Sequence, residues 1–226
     1  QSVLNQFSTL TLSYRNEIRN GADVTFGLPL TDTIKSSHKL KIENINVTED
    51  SNLYSIQSYT PFFAYDTRDV WFNPLEGDYH TLSIEKGFKL KADSLDFIKT
   101  DIGLRKFFKT TEKQTLAARL DFGFMSGELE DTEIYYVGGV NTVRGYNDLT
   151  PYSSGDKRLL ASLEYRISFN DMFQGVLFLD AGLASNNIGY ILALSQGYRI
   201  GKGFGLRINT PMGPFRIDFG LNDQGN

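Results

Sequence analysis

Few residues of this sequence could carry out acid–base, thiol or metal chemistry. The 226 residues include no cysteine and only two histidines, His38 and His80, so a thiol nucleophile, a disulfide framework and a cysteine-ligated metal are excluded. No GxSxG motif accompanies either histidine. Both are therefore interpreted as structural residues, and no enzymatic activity, cofactor or metal site is predicted.

One charged residue has an unusual local context. Arg144 lies in the glycine-rich segment GGVNTVRGY, which spans residues 138–146. Taken alone, an arginine in such a loop is most simply interpreted as solvated. The net charge of −4 gives no global attraction to nucleic acid, so a nucleic-acid partner is not predicted. The role of Arg144 therefore depends on the elements that position its side chain.

Those elements are predicted to be β-strands. The chain has 17 Phe and 12 Tyr but only 6 Pro, a composition that favours strands. Apolar and polar residues alternate in one run after another, as where Leu120 and Phe122 alternate with Arg119 and Asp121. One short helical turn is expected within 188–196. The alternation predicts eleven strands: 5–18, 21–30, 37–48, 53–66, 78–90, 95–108, 114–126, 157–169, 173–183, 199–210 and 213–221.

Strands with one apolar and one charged face fit two architectures. A soluble sandwich places the apolar face inside, whereas an outer-membrane barrel turns it toward lipid and keeps the charges in its lumen. Several predicted strands have 12 or more residues, which suits a tilted crossing of a bilayer better than a globular domain. Aromatic residues such as Tyr65 and Trp71 gather near strand ends, as in interfacial girdles. The pattern favours the barrel over a soluble all-β domain.

Four segments then resemble one family in its own order. They are FFAYDTRDVWFNPLEG (62–77), GGVNTVRGY (138–146), LLASLEYR followed by VLFLDAG (within 159–182), and GFGLRINTPMGPFRIDFG (203–220). Together they look like the barrel domain of the BamA/TamA outer-membrane assembly and translocation superfamily, also called the bacterial surface antigen family. The resemblance implies a single transmembrane antiparallel β-barrel domain over residues 1–226, integral to the bacterial outer membrane.

The resemblance also implies a role for the longest connection, 127–156. In the family the equivalent extracellular loop folds into the lumen and plugs it, and the arginine of its tip docks on acidic residues of the barrel wall. By resemblance the wall partners of Arg144 are Glu164 and Asp180, and strand alternation places both carboxylates on the polar face. The tip itself consists of Val143, Arg144, Gly145 and Tyr146.

A second family segment forms the turn after the strand 53–66. Aspartate and threonine next to arginine suit a hydrogen-bonded turn, and proline and glycine fix its exit. A structural role is therefore expected for Asp66, Thr67, Arg68, Asp69, Pro74 and Gly77.

The sequence also departs from the family. Typical members carry periplasmic POTRA modules before a barrel of 16 strands, whereas the alternation here starts near Asn5, so no POTRA module is expected. Dividing the length among strands of about 9 to 11 residues plus turns gives about 12 strands. Eleven are readable, and the closing strand is expected beyond Asn226. The closing seam is therefore in doubt.

Three functions are compared. The leading one is insertion and assembly of outer-membrane proteins, or translocation; the alternative is a passive pore or the membrane anchor of a larger exported protein, such as a patatin-like autotransporter. A barrel enzyme is disfavoured, because His38 and His80 lie in different strands. The expected partners are outer-membrane lipids including lipopolysaccharide, substrate β-strands at the seam, and a second copy in a homodimer through the seam.

Overall fold

The first part of the chain forms six long antiparallel strands. The computed structural model describes residues 17–47, 52–147, 152–193, 197–210 and 213–223. Each of the six strands pairs with the next one along the chain. They are β1 (Glu17–Pro29), β2 (Ile34–Val47), β3 (Asn52–Asp66), β4 (Gly77–Gly87), β5 (Phe97–Thr111) and β6 (Gln114–Gly127).

The start of the first described strand, β1, differs from the prediction. A break between residues 18 and 21 was expected, but β1 runs through it, and Asn20 pairs with Asn44 while Gly21 pairs with Glu43 of β2. The sequence Asn20-Gly21 is typical of a tight turn, yet pairing with β2 satisfies its backbone groups and keeps it extended. The prediction of a break there is wrong. Residues 5–16 of the first predicted strand lie outside the described residues.

A long connection follows β6. Residues 128–156 include two short strands, β7 (Tyr135–Val137) and β8 (Ser153–Gly155), which pair antiparallel in a separate two-stranded sheet. The strands predicted from the alternation include none between residues 126 and 157, so β7 and β8 are additions to that prediction. Pairing of β7 with β8 brings the two ends of the connection together, and its middle is thereby held over the main sheet.

The last part of the chain completes the main sheet. Its strands are β9 (Lys157–Ser168), β10 (Phe173–Ser185), β11 (Arg199–Thr210) and β12 (Gly213–Leu221), with a short helix α1 (Ile188–Ala193) between β10 and β11. Because β9 pairs with β6, the ten long strands form one sheet in the order β1-β2-β3-β4-β5-β6-β9-β10-β11-β12. Within the described residues β1 and β12 do not pair with each other. No helix in the described ranges is long and apolar enough to cross a membrane.

The two faces of this sheet have opposite character. On the outer face large apolar side chains are exposed, as for Leu177 (57%) and Phe204 (58%). On the inner face, over which the 128–156 connection lies, charged side chains are buried, as for Asp121 (7%) and Asp180 (1%). An extended apolar surface of this kind marks contact with a membrane or a partner rather than with water. The predicted alternation of faces is confirmed.

The connections at the two ends of the sheet differ in length. Residues 30–33, 112–113 and 169–172 make short turns at one end, where the turn 67–76 is longer, whereas 88–96 and the much longer 128–156 lie at the other. The buried apolar residues also gather near the long connections, in clusters that include Ile45 and Phe97 in one case and Met125 and Val143 in the other. The 128–156 connection thus packs against buried apolar side chains at that end of the sheet.

Candidate functional site

The structure brings Arg144 and Asp180 into direct contact. Arg144 Nε donates to Asp180 Oδ2 at 2.6 Å, and Nη2 donates to Asp180 Oδ1 at 2.8 Å. The backbone N–H of Arg144 also donates to Asp180 Oδ2, at 3.2 Å. A two-pronged contact of guanidinium with carboxylate fixes both orientation and position. The tip of the connection is therefore held to β10 by side chain and backbone together.

Two further carboxylates complete the environment of this arginine. Arg144 Nη1 lies 2.8 Å from Glu164 Oε1 on β9 and 3.2 Å from Asp218 Oδ2 on β12. Sequence reasoning placed Glu164 here but missed Asp218. The signal was available, because Asp218 alternates with Ile217 and Phe219 and so points to the inner face. The buried Arg144 thus joins carboxylates from three strands.

Other arginines and one aromatic ring surround the same cluster. Arg166 donates to Glu164 Oε2 at 2.8 Å, and Arg207 Nη1 donates to Asp218 Oδ1 at 2.5 Å. The guanidinium carbon of Arg144 lies 3.6 Å from the centre of the Phe178 ring, a cation–π arrangement. Because every carboxylate has at least one arginine partner, the charges are compensated although they are buried.

Strand register explains why these side chains meet. Asp180 of β10 lies opposite Ser162 of β9 and Gly201 of β11, and Ser162 Oγ donates to Asp180 Oδ1 at 2.6 Å. Gly201 carries no side chain, and the space that a Cβ would need is taken by the Arg144 carbonyl group. The small residue on β11 is therefore what lets the tip backbone reach the sheet.

Glycines on both sides allow the same close approach at β12. Gly145 has φ of 92°, a conformation that residues with side chains rarely adopt. A Cβ added to Gly220 of β12 would lie 2.6 Å from the backbone nitrogen of Gly145. The tip therefore contacts β12 backbone to backbone, which explains the glycine in VRGY in physical terms.

The residues on either side of Arg144 and Gly145 have different surroundings. Val143 is fully buried and packs with Val137 and Leu160. The Tyr146 hydroxyl donates to Asp223 Oδ1 at 2.5 Å. Burial and then this hydrogen bond raise the pKa of Tyr146, and the same bond, followed by that from Arg199, lowers the pKa of Asp223. The tip is thus held by apolar packing, ion pairs and a tyrosine–aspartate contact.

The connection also reaches the opposite edge of the sheet. Glu133 accepts a hydrogen bond from Arg19 Nη2 of β1 at 2.9 Å, and the carbonyl of Val140 accepts one from Arg216 of β12 at 3.0 Å. Residues only seven positions apart therefore contact the first and last strands of the ten-stranded sheet. This is possible only if the sheet curls around the connection, which then lies across its interior.

The predicted turn after β3 is held by a dense set of hydrogen bonds. Arg68 donates to both carboxylate oxygens of Asp66, at 2.8 and 2.7 Å. The Oγ1 of Thr67 accepts from the N–H of Asp78 at 3.0 Å. Asp69 accepts from the backbone N–H groups of Leu75 and Glu76, whereas Pro74 and Gly77, the latter with φ of 107°, shape the return to β4.

The two histidines lie apart from this cluster. His38 stacks between Phe26 and Tyr59, with its Nδ1 at 2.7 Å from the Tyr59 hydroxyl, and His80 stacks on Tyr65. Among the residues that the structure describes, no group of three His, Asp or Glu side chains is arranged to hold a metal ion. The contacts of the arginine–carboxylate cluster join the tip of the connection to β9, β10 and β12.

Comparison with known proteins extends these observations. A family model described as the Omp85 superfamily domain matches residues 5–226. Among curated proteins, outer envelope protein 39 of the Arabidopsis thaliana chloroplast is 31% identical over 113 residues, which cover 47% of this chain and 31% of that protein. The outer membrane protein assembly factor BamA of Nitratidesulfovibrio vulgaris is 26% identical over 195 residues, covering 78% of this chain and 24% of that protein. Neither relative is named for an enzymatic activity.

A solved structure shares the fold. The crystal structure of Haemophilus ducreyi BamA lacking POTRA domains 1–3 superposes with a TM-score of 0.76 at 13% identity. The match covers 92% of this chain and 51% of that one. The chain thus spans about a third or less of the two curated relatives and about half of the solved structure.

Proposed function

The chain belongs to the Omp85 superfamily, and we propose that it forms the membrane barrel of a factor that inserts or assembles outer-membrane proteins, or translocates proteins across that membrane. The predicted family resemblance, all-β barrel class and outer-membrane location are confirmed by this membership and by the likeness to the BamA barrel. The specific activity is the proposal.

The observation that carries the proposal is the docking of the 128–156 connection by Arg144. The connection crosses the interior, and its buried Arg144 is held by Asp180, Glu164 and Asp218. A passive pore does not require such a connection. A connection held in this way is expected to hinder free diffusion through the interior, which favours the barrel wall over an open channel as the functional surface. We therefore propose that residues 127–156 plug the lumen, and that Val143 and Tyr146 help to hold the Arg144 tip in place.

The edge strands supply the surface for clients. In the described residues the outer edges of β1 and β12 are unpaired, and all thirteen residues of β1 are exposed. Unpaired N–H and C=O groups of an edge strand are a template for another strand. We propose that incoming substrate β-strands, or the same edge of a second copy, pair there, while the apolar outer face contacts outer-membrane lipids including lipopolysaccharide.

An insertion assay tests the function. The refolded chain is reconstituted into liposomes, a urea-denatured model barrel is added, and its folding is followed by heat-modifiable mobility on gels. We expect folding several-fold faster than in empty liposomes, and slower folding with Arg144→Ala. Lys202→Ala is the matched control, because Lys202 is an exposed cation on β11 outside the cluster, and it should behave like the unaltered chain.

Bilayer conductance separates this function from the alternative. A plugged barrel should give little steady current until Arg144→Ala frees the connection. A large, steady conductance of the unaltered chain without any acceleration of client folding would establish the passive pore or membrane anchor instead.

A further inference from the structure

A cavity of about 220 Å³ lies beneath the tip of the 128–156 connection. Its wall comes from β5, β6, β9, β10, β11 and β12, and its cover comes from residues 140–142 and 144 of the connection. The Arg144 cluster forms part of the lining through Glu164 and Asp180, whereas Arg105 and Arg119 line the same cavity without pairing with these two carboxylates. Its lining is dominated by six arginines: Arg105, Arg119, Arg144, Arg166, Arg207 and Arg216.

The arginines outnumber the carboxylates around them. Glu164 and Asp180 line the cavity, and Asp218 and Asp121 pair with lining arginines from just outside it. Six guanidinium groups therefore lie beside four carboxylates, which leaves an excess of two positive charges in a cavity that is partly open to solvent. A concave surface with an excess of one sign of charge attracts ions of the opposite sign.

Arg105 is the residue on which this excess centres. It projects from β5 to the inner face, is partly buried, and has the Tyr79 ring 5.5 Å from its guanidinium carbon. In the part of the chain that the structure describes it forms neither an ion pair nor a hydrogen bond. The nearby Asp121 attracts this guanidinium electrostatically but already accepts a hydrogen bond from Arg119, so the donors of Arg105 remain available to a ligand that supplies oxygen atoms.

Arg119 carries a second set of donors on the adjoining strand. Its Nε donates to Asp121 Oδ2 at 2.6 Å and its Nη1 to the carbonyl of Asn141 at 3.2 Å. Arg105 of β5 and Arg119 of β6 are paired in register, so their guanidinium groups leave the sheet side by side. Planar guanidinium groups bind phosphate oxygens two at a time, which suits an anion with several oxygens better than a halide.

We infer that this cavity is a binding site for a small multivalent oxyanion of the phosphate class, held by Arg105 and Arg119 between the inner face of the sheet and the tip of the connection. The ligand touches both wall and tip, so its binding stabilises the docked connection. This site is independent of whether the protein inserts clients, since it depends only on the charge and geometry of the cavity.

Calorimetric titration of the refolded protein in zwitterionic detergent tests the inference. Inorganic phosphate and pyrophosphate are the probes, and sodium chloride holds the ionic strength constant because screening alone alters such contacts. We expect saturable phosphate binding that weakens at least tenfold in Arg105→Gln. Lys106→Gln removes a cation from the same strand but on the outer face, and it should bind phosphate like the unaltered chain. Equal affinity in all three proteins would overturn the inference.

Chemical modification gives a readout that needs no variant. Phenylglyoxal labelling followed by mass spectrometry should show phosphate slowing modification of Arg105 and Arg119, with the exposed Arg199 labelled at an unchanged rate. Unprotected Arg105, or the same protection by chloride, would overturn the site even if Arg105→Gln failed to fold. Vesicles of phosphatidylglycerol against phosphatidylcholine separate the two sources of phosphate: competition by the former identifies a lipid headgroup, and no competition identifies a free anion.

Discussion

Arg144 shows how one side chain can join parts of the chain that are far apart in sequence. Its guanidinium reaches Glu164, Asp180 and Asp218, which lie on β9, β10 and β12. A buried carboxylate without a partner costs far more than the net gain from one surface ion pair. If the tip left the sheet, Glu164 would keep Arg166 and Asp218 would keep Arg207, whereas the buried Asp180 would lose its arginine partner, so Asp180 is the carboxylate that fixes the position of the tip.

The first residue-scale prediction follows from that cost. Replacing Arg144 with alanine should lower the free energy of unfolding by about 3 to 5 kcal/mol, because Asp180 loses its bidentate partner while remaining buried. Urea titration in detergent and heat-modifiable gel mobility measure the change. Lys202→Ala should shift neither measurement, and an equal loss in the two variants would remove the case for the buried contact.

The second residue-scale prediction concerns pH. The pKa of Asp223 is lowered, so its contribution is present above the ordinary carboxyl range and is lost as the pH falls through the lowered value. The pKa of Tyr146 is raised, so its contribution is present below its ordinary value of about 10 and is lost as the pH rises through the raised one. The difference in urea midpoint between the unaltered chain and Tyr146→Phe should be flat near neutrality and shrink at both extremes. A difference that stays constant at all pH values would contradict the Tyr146–Asp223 contact.

At the scale of elements, register and small residues decide where the connection can dock. Gly201 and Gly220 lie on neighbouring strands, β11 and β12, under the backbone of the tip. The β7–β8 hairpin closes the base of the connection, and Val143 packs into the cluster above it. The glycines of β11 and β12 thus make room for the tip, and the β7–β8 hairpin limits the conformations of the connection.

An alanine at Gly220 tests this steric account. Its Cβ would lie 2.6 Å from the nitrogen of Gly145, so the tip should lift, and proteolysis within residues 138–147 should speed up several-fold. Gly27→Ala is the matched control, since the nearest atom to its added Cβ is the Ser36 carbonyl oxygen at 3.8 Å. Equal cleavage rates in both variants would show that the tip does not need that space.

At the scale of the whole molecule, the sheet curls so that the connection touches both edge strands, through Glu133 at β1 and Val140 at β12. The apolar outer face then forms a continuous surface for lipid, and the charged inner face surrounds the connection. In the described residues the edges of β1 and β12 remain unpaired, which is the basis of the proposed pairing with clients or a second copy.

Homodimer formation through the edges gives the whole-molecule prediction. Native mass spectrometry in detergent should show dimers that increase with protein concentration. Backbone amides of β12 should exchange hydrogen more slowly in the dimer, because inter-strand bonds protect them, while those of the central strand β5 should not change. A monomer at all concentrations, with β12 already protected, would exclude the dimer.

Much of the fold could be predicted from local patterns. Ten of the eleven predicted strands correspond to the ten strands of the main sheet. They could be predicted because apolar residues alternate with charged or small ones in segments such as 116–124. The boundary of β1 could not be found in this way, since Asn20-Gly21 is typical of a turn and only pairing with β2 keeps it extended. The β7–β8 hairpin was missed because three-residue strands are too short to show a period.

The sequence alone separated the 40% of hydrophobic residues onto one apolar face opposite one charged face, because the two-residue period of a strand assigns each side chain to a face regardless of its neighbours. The same period placed Glu164 and Asp180 on the charged face. Which of the charged residues meet was decided only by the tertiary structure. Asp218 joins Arg144, and Arg105 faces a cavity, because contacts between strands and a distant connection depend on register and curl, which no local pattern contains.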